Sequence, residues 1–205
     1  MLKNVKLIPF LILIFLIAIA ILTFFGPQEE SLGTNVRLVY LHGAWVLTAE
    51  IVFLAAALAG VGALVTRKKI LHDWSRVLGQ TGILFWITYL PLSLWAMQAN
   101  WNGLFLAEPR FRLALIFAVA GFLLQTGLWI MSLPWLTSLA NILFIITLRI
   151  VFTSATNVMH PPPSPIFNSG NTWLIVYFIL LNLLTLVTAF LITQEILLIT
   201  ARKSD

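Results

Sequence analysis

Six apolar runs, each long enough to cross a bilayer, divide the 205-residue chain: about 7–25, 38–65, 77–97, 113–131, 136–158 and 172–200. A helix rises 1.5 Å per residue, so about 20 residues span a hydrocarbon core of roughly 30 Å. Lipid offers no partners for backbone N–H and C=O groups, so each run must satisfy them internally as a helix. The expectation is an all-α integral membrane protein, one six-helix transmembrane domain over 1–205 with no separate soluble domain. Composition agrees. The chain is 60% hydrophobic and 9% charged with a mean hydropathy of +1.01, far from the roughly 45–50% apolar and 25% charged of a soluble domain. The first run follows Lys3 and Lys6 as a signal peptide would. Its apolar stretch is longer than an ordinary signal, and Thr23-Phe24-Phe25-Gly26 lacks the small-x-small cleavage pattern, so it reads as a retained anchor.

Basic residues set the orientation. Counted by alternate loops, Lys3, Lys6, Arg67, Lys68, Lys69, Arg76, Arg202 and Lys203 fall on one side, and Arg37, Arg110 and Arg112 on the other. Cytoplasmic loops carry the Lys and Arg excess, so both termini are expected in the cytoplasm. The outer loops are then 26–37, 98–112 and 159–171. The net charge of +5 lies in short flanks rather than along one solvated face, which argues for topology and against nucleic-acid binding. With no cysteine, the chain has no disulfide framework, zinc-thiolate site, iron–sulfur ligation or heme thioether. Pro161-Pro162-Pro163-Ser164-Pro165 reads as a stiff, extended cap ending the fifth helix.

The unusual residues collect on the outer side. His42 lies about one turn inside the second span, within Leu38-Val39-Tyr40-Leu41-His42-Gly43-Ala44-Trp45, and His160 lies at the end of the fifth, within Asn157-Val158-Met159-His160-Pro161. A neutral imidazole is the commonest ligand for a transition metal or heme iron, and Gly43 and Ala44 would let a flat macrocycle approach the helix. Between the two histidines runs the loop from Trp101 to Arg112. Phe105 and the leucines of this loop give an apolar surface, and Arg110 and Arg112 give fixed cations suited to carboxylates such as heme propionates. The plainer alternatives are histidines bonded to backbone or water, and an interfacial aromatic belt. His72, beside Lys69 and Asp73 in the basic loop, is expected to be solvated.

In this order and on this face, these elements resemble the heme-handling membrane proteins of cytochrome c assembly, of the cytochrome c maturation protein C type. Arg37-Leu38-Val39-Tyr40-Leu41-His42 resembles that family's R-I-I-Y-L-H-V-P-A-A segment. Trp101 to Arg112 aligns without gaps to its W-G-T-W-W-V-W-D-x-R-L-T motif, and Asn157-Val158-Met159-His160 resembles its N-T-L-H-Q motif. The resemblance implies that His42 and His160 are the axial ligands of a non-covalent heme b on the outer, periplasmic face of the cytoplasmic membrane. Trp101 corresponds to the family's first tryptophan, and Glu108 and Arg110 to its Asp and Arg. It further implies a heme carrier rather than an enzyme, with a periplasmic heme chaperone or apocytochrome as acceptor and ABC-type membrane subunits as partners. The chain departs from the pattern at Leu104, Phe105 and Ala107, which replace tryptophans, at Asn102, which replaces glycine, and at Gly43, which replaces valine and lacks the following proline.

Three charges, Glu50, Arg149 and Glu195, fall inside spans, where an unpaired ion is costly. Glu50 lies about 12 Å below His42 along its helix, and Arg149 about 16 Å below His160 and near the same face if the fifth helix is unbroken. A structural Glu50–Arg149 ion pair beneath the site is expected, while Glu195 snorkels toward the interface near Lys203. No serine with a nearby base, Gly-rich phosphate loop or paired carboxylates occurs, as befits a binder. Two other classes share these features: a b-type electron-transfer subunit with a bis-histidine heme, and a heme-free transporter subunit with Glu50 and Arg149 along a polar path.

Overall fold

The structure is a computed structural model and describes residues 7–158 and 166–202. Its helices are α1 (Leu7–Phe24), α2 (Val36–Thr66), α3 (Lys69–Trp101), α4 (Pro109–Met131), α5 (Pro134–Thr153) and α6 (Thr172–Arg202). All six are long and apolar enough to cross a membrane. The chain is an all-α, multi-pass membrane protein. Alternate connections bring 25–35, 102–108, 154–158 and 166–171 to one end of the bundle, the loop end. Arg67, Lys68, Lys69 and Arg202 lie at the other, the basic end.

Helix boundaries follow local chemistry. Glu108 accepts from the Phe111 N–H at 2.6 Å and so caps α4, with Pro109 in the first turn where its missing N–H costs nothing. Pro134 opens α5 in the same way. Arg67, Asn102 and Ser132 close α2, α3 and α4 in left-handed conformations. Two spans differ from the hydropathic reading. The third begins at Lys69 rather than 77 and ends at Trp101 rather than 97, because Lys69–Asp73, paired at 2.7 Å one turn apart, supports helix beyond the apolar run. The fifth ends at Thr153 rather than 158. There the Thr153 and Ser154 hydroxyls bond back to the carbonyls of Arg149 and Ile150, and Asn157 turns left-handed.

Helix α2 packs against α3, α5 and α6, and α1 covers α6 at the periphery. Small residues let backbones close: a Cβ on Gly60 would sit 2.9 Å from the Ser138 carbonyl oxygen, and one on Gly82 2.5 Å from the Phe53 ring. Side-chain bonds tie the helices together. Thr48 pairs with Thr185 at 2.7 Å, Thr193 donates to Thr81 at 3.0 Å, and Trp45 Nε1 donates to Thr88 at 2.9 Å. Near the basic end Asn141 donates to the Ser75 carbonyl at 2.8 Å and accepts from Gln125 at 2.8 Å. His72 belongs to this network and not to a solvated loop: it sits in the first turn of α3 with Nδ1 2.7 Å from the Ser138 hydroxyl on α5. Glu195 does not turn wholly outward either, because its Oε2 is enclosed by protein with no hydrogen-bond partner among the described residues.

Candidate functional site

The loop end is where the sequence-derived site residues meet. His42 lies six residues into α2, half-buried, its ring tilted against Tyr89 of α3 with centroids 5.4 Å apart. One turn on, Trp45 packs on Phe85 at 4.9 Å, so aromatic contacts fix the α2–α3 seam beneath the imidazole. Trp101 closes α3 and meets Phe105 edge-on at 5.8 Å. Leu104, Phe105 and Leu106 stand exposed on the short loop to α4 at 53%, 44% and 54%. Arg112 Nε donates to the Leu106 carbonyl at 3.3 Å, and half-buried Arg110 lies in the first turn of α4, within electrostatic reach of Glu50.

Below this layer, Arg149 Nη1 donates to Glu50 Oε2 at 2.9 Å. The pair joins α5 to α2 eight residues, about 12 Å, below His42. Since α5 ends four residues beyond Arg149, about 6 Å, it stops short of the His42 layer. Register along an unbroken fifth helix therefore does not carry Arg149 to a place beneath residue 160. The ion pair forms because α2 and α5 run side by side at that depth.

His160, with Met159 and the Pro161–Pro165 segment, lies outside the described residues. Two further expectations change. Gly43 does not open a path for a ligand, since a Cβ there would meet the Phe178 ring at 3.3 Å, and Ala44 is fully buried against α6 and α1. These small residues serve helix packing. Glu108 is engaged as the α4 cap.

The sequence reading did not single out Tyr89, the aromatic partner of His42, whose hydroxyl feels both Glu108 and Glu50. Its signal was present in its position: Tyr89 is a polar-tipped aromatic three residues from Trp86 and four from Phe85, at helical spacing within the third apolar run. The first loop is tied to the end of α3, with Asn35 Nδ2 donating to the Ala99 carbonyl at 2.7 Å and Asn100 Nδ2 to the Asn35 carbonyl at 3.3 Å. Arg37 Nε donates to the Gly26 carbonyl at 2.9 Å and is thereby held at the start of α2. Outside the membrane, the Ser31 hydroxyl and the N–H groups of Ser31 and Leu32 hold the Glu29 carboxyl below the usual carboxylate range.

No group of three or more histidine, cysteine, aspartate or glutamate side chains forms a metal site among the described residues. Comparison with protein-family models, with curated proteins and with solved structures finds no match.

Proposed function

We propose that this is a heme-handling membrane protein of cytochrome c assembly, holding heme b without covalent attachment at the loop end and presenting it to a soluble acceptor. On this reading the loop end faces the periplasm or exterior and both termini are cytoplasmic. The observation that carries the reading is the meeting, at one end of the bundle, of the half-buried His42 imidazole and an exposed apolar loop flanked by Arg110 and Arg112. An apolar, flat, dianionic ligand asks for those three features together. His42 and His160 are the imidazole donors that would hold the iron.

A bound heme would supply an iron whose bonds to the chain's imidazoles can be exchanged for those of an acceptor. The chain's own residues bind and orient. The Tyr89 ring limits rotation of the His42 imidazole, Phe105 and its neighbouring leucines exclude water, and the guanidinium groups of Arg110 and Arg112 bind carboxylates. The Glu50–Arg149 pair neutralises the polar floor below.

The test is an optical spectrum and heme assay of the detergent-purified chain, with His42→Ala and His160→Ala beside wild type. The expected result is a low-spin signal that either substitution abolishes or converts to high spin. Absence of heme from wild type even after reconstitution with hemin overturns the proposal.

A further inference from the structure

On the opposite half of the bundle, α3 and α4 leave a lipid-facing groove of about 260 Å³ lined by Gln80, Ile83, Phe122, Gln125, Thr126 and Trp129. Four of these six side chains, Gln80, Gln125, Thr126 and Trp129, carry hydrogen-bonding groups, and the surrounding solvent is hydrocarbon. The Asn141 amide is oriented by the Ser75 carbonyl, which can only accept, so Asn141 Nδ2 faces Ser75 and its Oδ1 accepts from Gln125 Nε2. Gln125 therefore keeps Oε1, an acceptor, for the groove.

Gln80 has no side-chain hydrogen bond among the described residues, and neither does the Thr126 hydroxyl. The contrast within the chain is clear, since Thr66, Thr88, Thr137, Thr153, Thr188, Thr193 and Thr200 each donate to the carbonyl four residues back. In lipid such groups call for a partner that can both donate and accept.

We infer that the α3–α4 groove is a dimer interface in which a second copy of this chain, related by a two-fold axis along the membrane normal, has its Gln80 amide donate to Gln125 Oε1, and reciprocally. Donor and acceptor complementarity selects this occupant. The groove offers a solitary acceptor at Gln125 and a complete amide at Gln80, and a second copy brings the same two groups to the same depth. An axis along the normal preserves depth, and an isologous contact satisfies both halves at once. The lining holds no cation for a lipid phosphate, and ester oxygens, which only accept, would leave Gln125 Oε1 unpaired. Exposed Phe122 and Trp129 flank the groove as ridges that a two-fold partner can interlock.

The test uses the full chain in lipid vesicles, with stoichiometry counted by single-molecule photobleaching over a range of protein-to-lipid ratios. Wild type is expected to dimerise, and Gln80→Leu to weaken dimerisation by roughly ten-fold to a few hundred-fold, for two interhelical bonds lost per dimer. Thermal unfolding of Gln80→Leu should match wild type at dilutions where both are monomeric, because Gln80 makes no side-chain bond among the described residues. The chain has no cysteine, so a single Phe122→Cys variant should cross-link on oxidation. Ile17→Cys, exposed on α1, which packs on α6 and α2, should not. A wild-type chain that is monomeric at every ratio overturns the inference, as does a dimer indifferent to Gln80→Leu. A monomer that copurifies a phospholipid lost in Gln80→Leu overturns it too and assigns the groove to lipid.

Discussion

Removing either member of the Glu50–Arg149 pair is expected to destabilise the protein unequally, with Arg149→Met costing more than Glu50→Gln. Glu50 lies 14 residues from the start of α2 and 16 from its end, more than 20 Å from either terminus and near mid-membrane. Its side chain is 24% exposed and short, so without Arg149 it is stranded. Arg149 is 55% exposed and only four residues from the end of α5, so without Glu50 its long stem can extend past the helix end toward the loop end. Breaking a buried pair costs about 3–5 kcal/mol and an exposed one about 0–1. Exposure of one partner places Arg149→Met between these limits, at about 2–3 kcal/mol, and Glu50→Gln at about 1. The double variant leaves no charge to desolvate and should return to within about 1 kcal/mol of wild type, a coupling of about 2. The assay is reversible unfolding in mixed micelles of rising SDS content, followed by the fluorescence of the eight tryptophans. Losses that add within about 0.5 kcal/mol, the range of independent sites, would refute the coupling. A Glu50→Gln variant weaker than Arg149→Met would refute the depth argument.

Two other perturbations read the same physics elsewhere. Gly60→Ala should cost about 1–3 kcal/mol, because the added methyl meets a backbone carbonyl that cannot turn aside, whereas Gly127→Ala, with nothing within 4 Å, should be neutral or stabilise by up to about 1. The same unfolding measurement compares them. For the first loop the folded carboxyl of Glu29 titrates lower than in an unfolded chain, so its contribution is present above the ordinary carboxylate pKa and is lost as pH falls through the folded one. Protection of the Ser31 and Leu32 amides, taken relative to their intrinsic exchange at each pH, should fall on acidification, and Glu29→Gln should remove most of that dependence.

What the sequence made legible was what hydropathy measures. Six apolar runs became six helices, and Glu50–Arg149 pairing followed from two ions that lipid cannot solvate. Hydropathy records exposure to lipid rather than helix, so it missed the polar first two turns of α3 and ran α5 past Thr153 into residues that bond their own backbone. His72 was misread for the same reason: its neighbours Lys69 and Asp73 are polar, yet helix α3 carries its ring to Ser138, 66 residues away. Gly43 and Ala44 could be read equally as room for a ligand or room for a helix. The choice depends on which helix lies alongside α2, and a single sequence does not encode helix order in any local pattern.

The division of polar contacts along the bundle bears on how a binding end can coexist with a rigid fold. Toward the basic end the cross-links are buried and interlocked: His72 with Ser138, Asn141 with Ser75 and Gln125, Thr193 with Thr81. Toward the loop end α5 has already stopped, and the first loop is fastened through exposed amides, Asn35 to Ala99 and Asn100 to Asn35. Buried interhelical bonds are costly to break, while exposed ones exchange with water at little net cost. Opening of the loop end therefore need not loosen the helix packing below the Glu50–Arg149 pair. A carrier that must release its cargo needs this separation, because a ligand gripped by the interlocked half could leave only through partial unfolding of the bundle. On the heme-carrier proposal, loss of heme from a His42→Ala variant can accordingly be separated from loss of fold, since the interlocked contacts that hold the bundle together lie toward the other end.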